Sequence, residues 1–87
     1  MQKVKFLVIR FSSIGDIVLT TPVVRNLKKQ VENAEIHYLT KPQFKVLLES
    51  NPYIDKIHVL NMAFGKMIRE LKAEQYDYII DLHHNIR

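Results

Sequence analysis

The chain has 87 residues, a formal charge of +4, 47% apolar residues and 25% charged residues. It is long enough for one domain with a modest core and too apolar for a disordered chain. It has no cysteine, which excludes a disulfide framework and a thiolate metal site. Its lysines are scattered, so the basic bias fits phosphate-bearing partners or an anionic membrane surface, without the basic run of a nucleic-acid-binding tail.

The apolar run Phe6-Leu7-Val8-Ile9 stops at Arg10. It is far too short to span a bilayer, and the chain reads as a soluble, cytoplasmic protein. Lys3 to Arg10 is predicted as a strand covered on both faces. Phe11 to Gly15 is a turn. A helix follows from about Gly15 to Val31, with Ile17, Val24 and Val31 on one face and Thr20, Val23 and Leu27 beside them. Pro22 lies inside it. Pro22 cannot donate to the Val18 carbonyl, so a kink is expected near the second turn.

Ala34 to Leu39 is a second strand. Thr40-Lys41-Pro42-Gln43 has the T-x-x-Q form of a capping box, and the helix it opens carries Phe44, Leu47 and Leu48 on one face. Ser50-Asn51-Pro52 ends that helix. Lys56 to Leu60 is a short third strand. Asn61 is the expected N-cap of a helix with Phe64, Met67, Ile68 and Leu71 on one side. Met62 and Met67 are assigned to the core. Tyr76 to Leu82 is a fourth strand with Tyr78-Ile79-Ile80 as its buried middle. His37 and His58 fall within strands and read as packing or surface residues.

The order βαβαβαβ predicts an α/β fold. It is a Rossmann-like, doubly wound parallel sheet with strand order 3-2-1-4. In that order strands 1 and 4 are neighbours whose connections leave in opposite directions. The crevice at their carboxyl ends is where open α/β sheets bind ligands. Ser12, Ser13, Gly15 and Asp16 follow strand 1, and Asp81, His83, His84, Asn85 and Arg87 follow strand 4. Gly15 stands alone, and no acidic residue follows strand 2, so this is not a dinucleotide fingerprint. No cofactor is expected. Adjacent His83 and His84 on an extended segment point to opposite sides, which disfavours a shared metal ion.

Arg10-Phe11-Ser12-Ser13-Ile14-Gly15-Asp16, the helix that follows with Thr20-Thr21-Pro22, the connection Asn51-Pro52-Tyr53-Ile54-Asp55 and the segment Tyr76 to His83 together resemble the ADP-heptose:lipopolysaccharide heptosyltransferases. These are family 9 glycosyltransferases of GT-B architecture. The resemblance covers the whole chain. It implies that residues 1–87 are one partial, acceptor-side Rossmann-like domain, half of a GT-B N-terminal domain. It further implies inverting, metal-independent transfer of heptose from ADP-heptose to a lipid A-Kdo type acceptor. Asp16 matches the proposed general base, and Ser12, Ser13 and Gly15 match the loop that positions it. His83, Asn85 and Arg87 would contact acceptor at the crevice rim. The ADP-sugar would be bound by a C-terminal domain absent from this chain, so the chain alone is expected to be inactive.

Asp16 has a structural reading too. With Ser13 as N-cap, Ser13-x-x-Asp16 is a variant capping box, and a carboxylate gains there from the helix dipole. Arg87 and Arg10 suit an acceptor phosphate or carboxylate, or plain solvent exposure. The competing overall reading is a non-catalytic, self-associating α/β module with Asp16 as a cap. A weaker one is the nucleotide-binding domain of another GT-B enzyme. Strand 4 would be an open edge rich in Tyr and Ile, which predicts homodimerisation through that edge or cover by another segment. Peripheral contact with the inner membrane is also expected.

Overall fold

The computed structural model describes residues 2–82. β1 (Val4–Ile9), β2 (Ala34–Thr40), β3 (Lys56–Val59) and β4 (Tyr78–Asp81) form one four-stranded sheet in the order β3-β2-β1-β4. Every pairing is parallel. This is the expected 3-2-1-4 sheet. Its register sets Phe6 beside Ile36 and Tyr78, and Val8 beside Tyr38 and Ile80.

Successive strand residues face opposite sides, so β1 and β2 feed two apolar layers. On one side Phe6, Val8, Ala34, Ile36 and Tyr38 pack with Ile17, Val24 and Leu48. That side is covered by α1 (Ile14–Leu19), α2 (Thr21–Gln30) and α3 (Lys45–Glu49). On the other side Leu7 and Leu39 pack with Met67 of α4 (Phe64–Ala73). Helices on both faces explain why Phe6-Leu7-Val8 is buried without alternation.

The expected kinked helix is two helices. Thr20 ends α1 and caps α2, and Pro22 sits in the first turn of α2, where a missing N–H costs least. The Thr20 N–H donates to Ile17 O at 3.1 Å, and its hydroxyl donates to the same carbonyl at 2.6 Å. The hydroxyl also meets Tyr38 Oη at 2.8 Å. The break is therefore held by the sheet beneath it. Ile17, Thr20 and Val24 are buried as expected, whereas Val23 is exposed.

Several local assignments change. Thr40 opens no helix. It is the last residue of β2, fully buried, with its hydroxyl directed at Phe11 O at 3.4 Å. A 3-10 turn (Pro42–Phe44) leads into α3 instead, because Pro42 fits a first helical position and Lys41 before it is extended. Leu48 is buried there, but Leu47 is exposed. Ala63, not Asn61, is the N-cap of α4, and Met62 is fully exposed. In β4, Tyr78 and Ile79 are 59% and 62% exposed. Among the described residues β4 pairs only with β1, and no helix covers its outer flank.

Candidate functional site

β1 delivers the chain to the carboxyl end of the sheet, and Arg10 is its first residue beyond the strand. The Arg10 N–H donates to Leu39 O of β2 at 3.2 Å, which fixes where the side chain starts. Arg10 is only 4% exposed. Its Nη2 lies 2.7 Å from Asp16 Oδ2, and its Nη1 donates to Leu82 O, past the end of β4, at 3.2 Å. Its Nε is buried without a partner among the described residues. A solvent-exposed Arg10 is thus excluded. The guanidinium bridges the loop after β1 and the exit of β4, the two sides of the switch-point crevice.

Ser13 precedes α1 in extended conformation and is its N-cap. The Ser13 hydroxyl donates to Asp16 Oδ2 at 2.8 Å. The Ser13 N–H reaches the same oxygen at 3.5 Å, completing a loose capping box. All of these contacts fall on Oδ2, and among the described residues none falls on Oδ1. The Asp16 side chain remains 34% exposed. The Ser13 hydroxyl first, and then Arg10, hold the Asp16 carboxyl below its ordinary value of 3.8. Asp16 thus takes part in the capping box of α1, with its carboxylate partly exposed beside Arg10.

Ser12 is half-buried beside Ser13. Gly15 lies in α1 with no atom within 4 Å of where a Cβ would stand. Neither its backbone nor its neighbours require glycine, so what Gly15 leaves is open room beside Asp16. His83, Asn85 and Arg87, with His84, lie outside the described residues. Ile14, Val18 and Leu19 on the outer side of α1 are exposed, a small apolar surface next to the loop. A larger apolar cavity of about 510 Å³ lies on the α4 face, lined by Ile9, Phe11, Phe64, Met67 and Ile79 among others. It borders β4 and does not include Ser13 or Asp16.

A second polar cluster occupies the opposite, amino end of the sheet, under α4. His37 is buried, and its Nε2 lies 2.7 Å from Glu35 Oε2. Its Nδ1 meets Tyr76 Oη at 2.7 Å and His58 Nε2 at 3.2 Å. Gln75, with a positive φ of 57°, turns the chain after α4 and aims Tyr76 back at His37. Glu74 accepts from Lys5 and Lys56, each at 2.8 Å. Those bonds, Lys5 first, hold the Glu74 carboxyl down to about 2. His37, His58 and Glu74 are the described residues able to gather round a metal ion. The packing-or-surface reading of His37 and His58 missed this. The one available signal was that His37 and Glu35 share a strand face at i, i+2, while β3 and the α4–β4 turn arrive only through the fold.

No protein-family model matches the chain. Over 84 residues it is 31% identical to lipopolysaccharide heptosyltransferase 1 of Campylobacter coli, a match spanning 90% of this chain and 25% of that protein. Over 78 residues it is 32% identical to lipopolysaccharide heptosyltransferase 3 of Escherichia coli, spanning 78% of this chain and 23% of that protein. A crystal structure of a family 9 glycosyltransferase from Veillonella parvula superposes with a TM-score of 0.81 at 27% identity, covering 91% of this chain and 26% of that one. The chain spans about a quarter of the length of the relatives it matches.

Proposed function

We infer that this chain, a relative of the lipopolysaccharide heptosyltransferases of glycosyltransferase family 9, supplies the acceptor-activating side of a heptose transfer, with Asp16 as general base. The observation that carries the reading is the Ser13–Asp16–Arg10 constellation at the switch-point crevice, on the loop that matches the family. Asp16 Oδ1 would take the proton from the acceptor hydroxyl as that oxygen attacks the anomeric carbon. Arg10 and Ser13 fix Oδ2, so the other oxygen is aimed rather than floppy. Their cost is a carboxylate of reduced basicity. The reaction would then rest on positioning and on the charge that develops as the acceptor oxygen attacks. Inversion without a metal ion agrees with a single base on the acceptor side.

The donor in this reading is ADP-heptose, bound by residues other than those of this chain. The acceptor is a lipid A-Kdo type saccharide, met by Ser12, Ser13 and Gly15 and by His83, Asn85 and Arg87 at the rim. The chain alone would be inactive. The open room at Gly15 is space for the acceptor. The exposed Ile14, Val18 and Leu19 and the charge of +4 support a peripheral contact with an anionic inner-membrane surface of the cytoplasm. The exposed β4 edge supports self-association through that strand.

Titrating the labelled chain with a Kdo-containing core saccharide tests the acceptor role. Amide shifts should appear at Ser12, Ser13, Gly15 and Asp16, and saturable binding elsewhere rejects the reading. In an enzyme carrying this segment with a donor domain, Asp16→Ala should abolish heptose transfer while the saccharide still binds. Surviving transfer would leave Asp16 as the cap of α1 only. That second reading is favoured by the capping-box contacts themselves.

A further inference from the structure

The polar cluster at the amino end of the sheet lies outside the crevice chemistry, and its parts come from three segments, β2, β3 and the α4–β4 turn. Glu35 and His37 belong to β2, His58 to β3, Glu74 follows α4, and Tyr76 precedes β4. Three of its atoms form a closed triangle: His37 Nδ1, His58 Nε2 and Tyr76 Oη, with sides of 3.2, 3.0 and 2.7 Å. In the tautomer whose Nε2–H donates to Glu35, His37 turns a bare Nδ1 lone pair into the triangle. Tyr76 brings one proton and His58 Nε2 brings at most one. At most two protons therefore serve three contacts, and the two histidine nitrogens face each other across a gap that a cation would satisfy better.

We propose that His37 Nδ1, His58 Nε2 and the Glu74 carboxylate form a binding site for a divalent transition-metal ion of the zinc class.

Three observations support it. First, zinc bonds to histidine nitrogen at about 2.0–2.1 Å, so two nitrogens on a tetrahedral ion stand about 3.3–3.4 Å apart. Here they are 3.2 Å apart, and the ligand atoms of all three residues lie within 4.8 Å of one another. Second, Glu35 on His37 Nε2 is the carboxylate–histidine pair that orients metal-binding imidazoles. Third, the three ligand-bearing residues reach one small volume from β2, β3 and the α4–β4 turn, so the fold and not a single flexible segment gathers them. Lys5 and Lys56 each bond the Glu74 carboxylate at 2.8 Å. The lysines oppose the ion. Each occupies one Glu74 oxygen, although each oxygen keeps a second lone pair. Their charge weakens the site. The ion would tie β2, β3 and the α4–β4 turn together, a structural role at the end of the sheet opposite Asp16.

Zinc titrated calorimetrically into the 87-residue chain at neutral pH tests the site, with Co²⁺ absorption reporting the ligand set. One ion should bind per chain and raise the thermal midpoint, since it binds the folded form. His58→Gln should abolish binding, and Glu35→Gln should weaken it by roughly 10–100-fold. Lys56→Met should tighten it, an effect a purely structural network would not produce. A His83→Gln/His84→Gln double variant should bind as the parent does. Circular dichroism checks that each variant folds, and if His58→Gln does not, Glu35→Gln and Lys56→Met carry the test. No saturable uptake overturns the proposal. So does binding indifferent to His58→Gln and Glu35→Gln, or binding lost in the His83/His84 variant.

Discussion

At the carboxyl end of the sheet a buried arginine holds an aspartate that stands partly in water. At the amino end a buried histidine is held by Glu35 and Tyr76, and Tyr76 and His58 are themselves half-buried. The two ends use similar short contacts to opposite effect. Among the described residues the Asp16 contacts fall on one oxygen only, so they aim a group outward. His37 has both nitrogens engaged, so its contacts close the sheet on itself. A polar group left partly open is available to a substrate from solvent, whereas one bonded inside a low-dielectric interior mainly fixes the fold, the structural role an ion held there would share. The crevice should thus lose function on substitution more than stability, and the amino end should do the reverse.

The largest effect on folding is expected from His37→Leu, which strips partners from Tyr76 and Glu35. Urea unfolding should show a loss of about 2–3 kcal/mol. A loss below half of that would mean the amino end is no more structural than the crevice. Thr20→Val is the next test. It keeps shape but removes the hydroxyl shared by Tyr38 and the Ile17 carbonyl, and should cost about 1–2 kcal/mol. It asks whether the break beneath the crevice loop is itself rigid.

Acid should separate the two ends further. The folded His58 pKa is depressed from 6.5, so the unfolded chain takes up that proton more readily. In metal-free buffer the thermal midpoint should fall as pH drops below 6.5, and less so in His58→Gln. A second loss should follow as pH falls from 4.5 toward about 2, where Glu74 releases Lys5 and Lys56. Asp16 is likewise depressed, so the crevice contacts should persist below pH 3.8 in a carboxyl-detected titration.

Smaller changes belong to the crevice. Gly15→Ala should stabilise α1 by a few tenths to about 1 kcal/mol, because the added methyl meets nothing. The same methyl should weaken saccharide binding if that room receives the acceptor. Asp16→Asn takes the carboxylate charge from the buried Arg10 guanidinium and should lower the thermal midpoint; an unchanged midpoint would show that the clamp serves positioning and not stability.

Much of this was legible in the chain. The β–α alternation and the unbroken apolar middle of β1 are local patterns, and together with handedness they allow few topologies beyond 3-2-1-4. Ser13 and Asp16 sit at capping-box spacing, so their contact was readable as well. What failed was mostly at element ends. Thr40 and Asn61 have the composition of caps, but the strand pairing that extends β2 to Thr40 outweighs a cap that would end it. Tyr78 and Ile79 look buried by composition and are exposed because, among the described residues, β4 has a neighbour on one side only.

The sequence by itself determined the layered α/β fold, the placement of the Ser12–Asp16 loop at a strand-to-helix turn, and the family likeness that loop carries. These depend on periodicity and on residues close together in the chain. The tertiary structure decided which distant groups share a proton or a charge. Arg10 became a buried clamp on Asp16 because β4 brings Leu82 alongside. His37 met His58, Glu74 and Tyr76 because parallel pairing and the turn at Gln75 converge on one face. Hydrogen bonds and ligand sets act over about 3 Å, and separation along the chain carries no information at that scale.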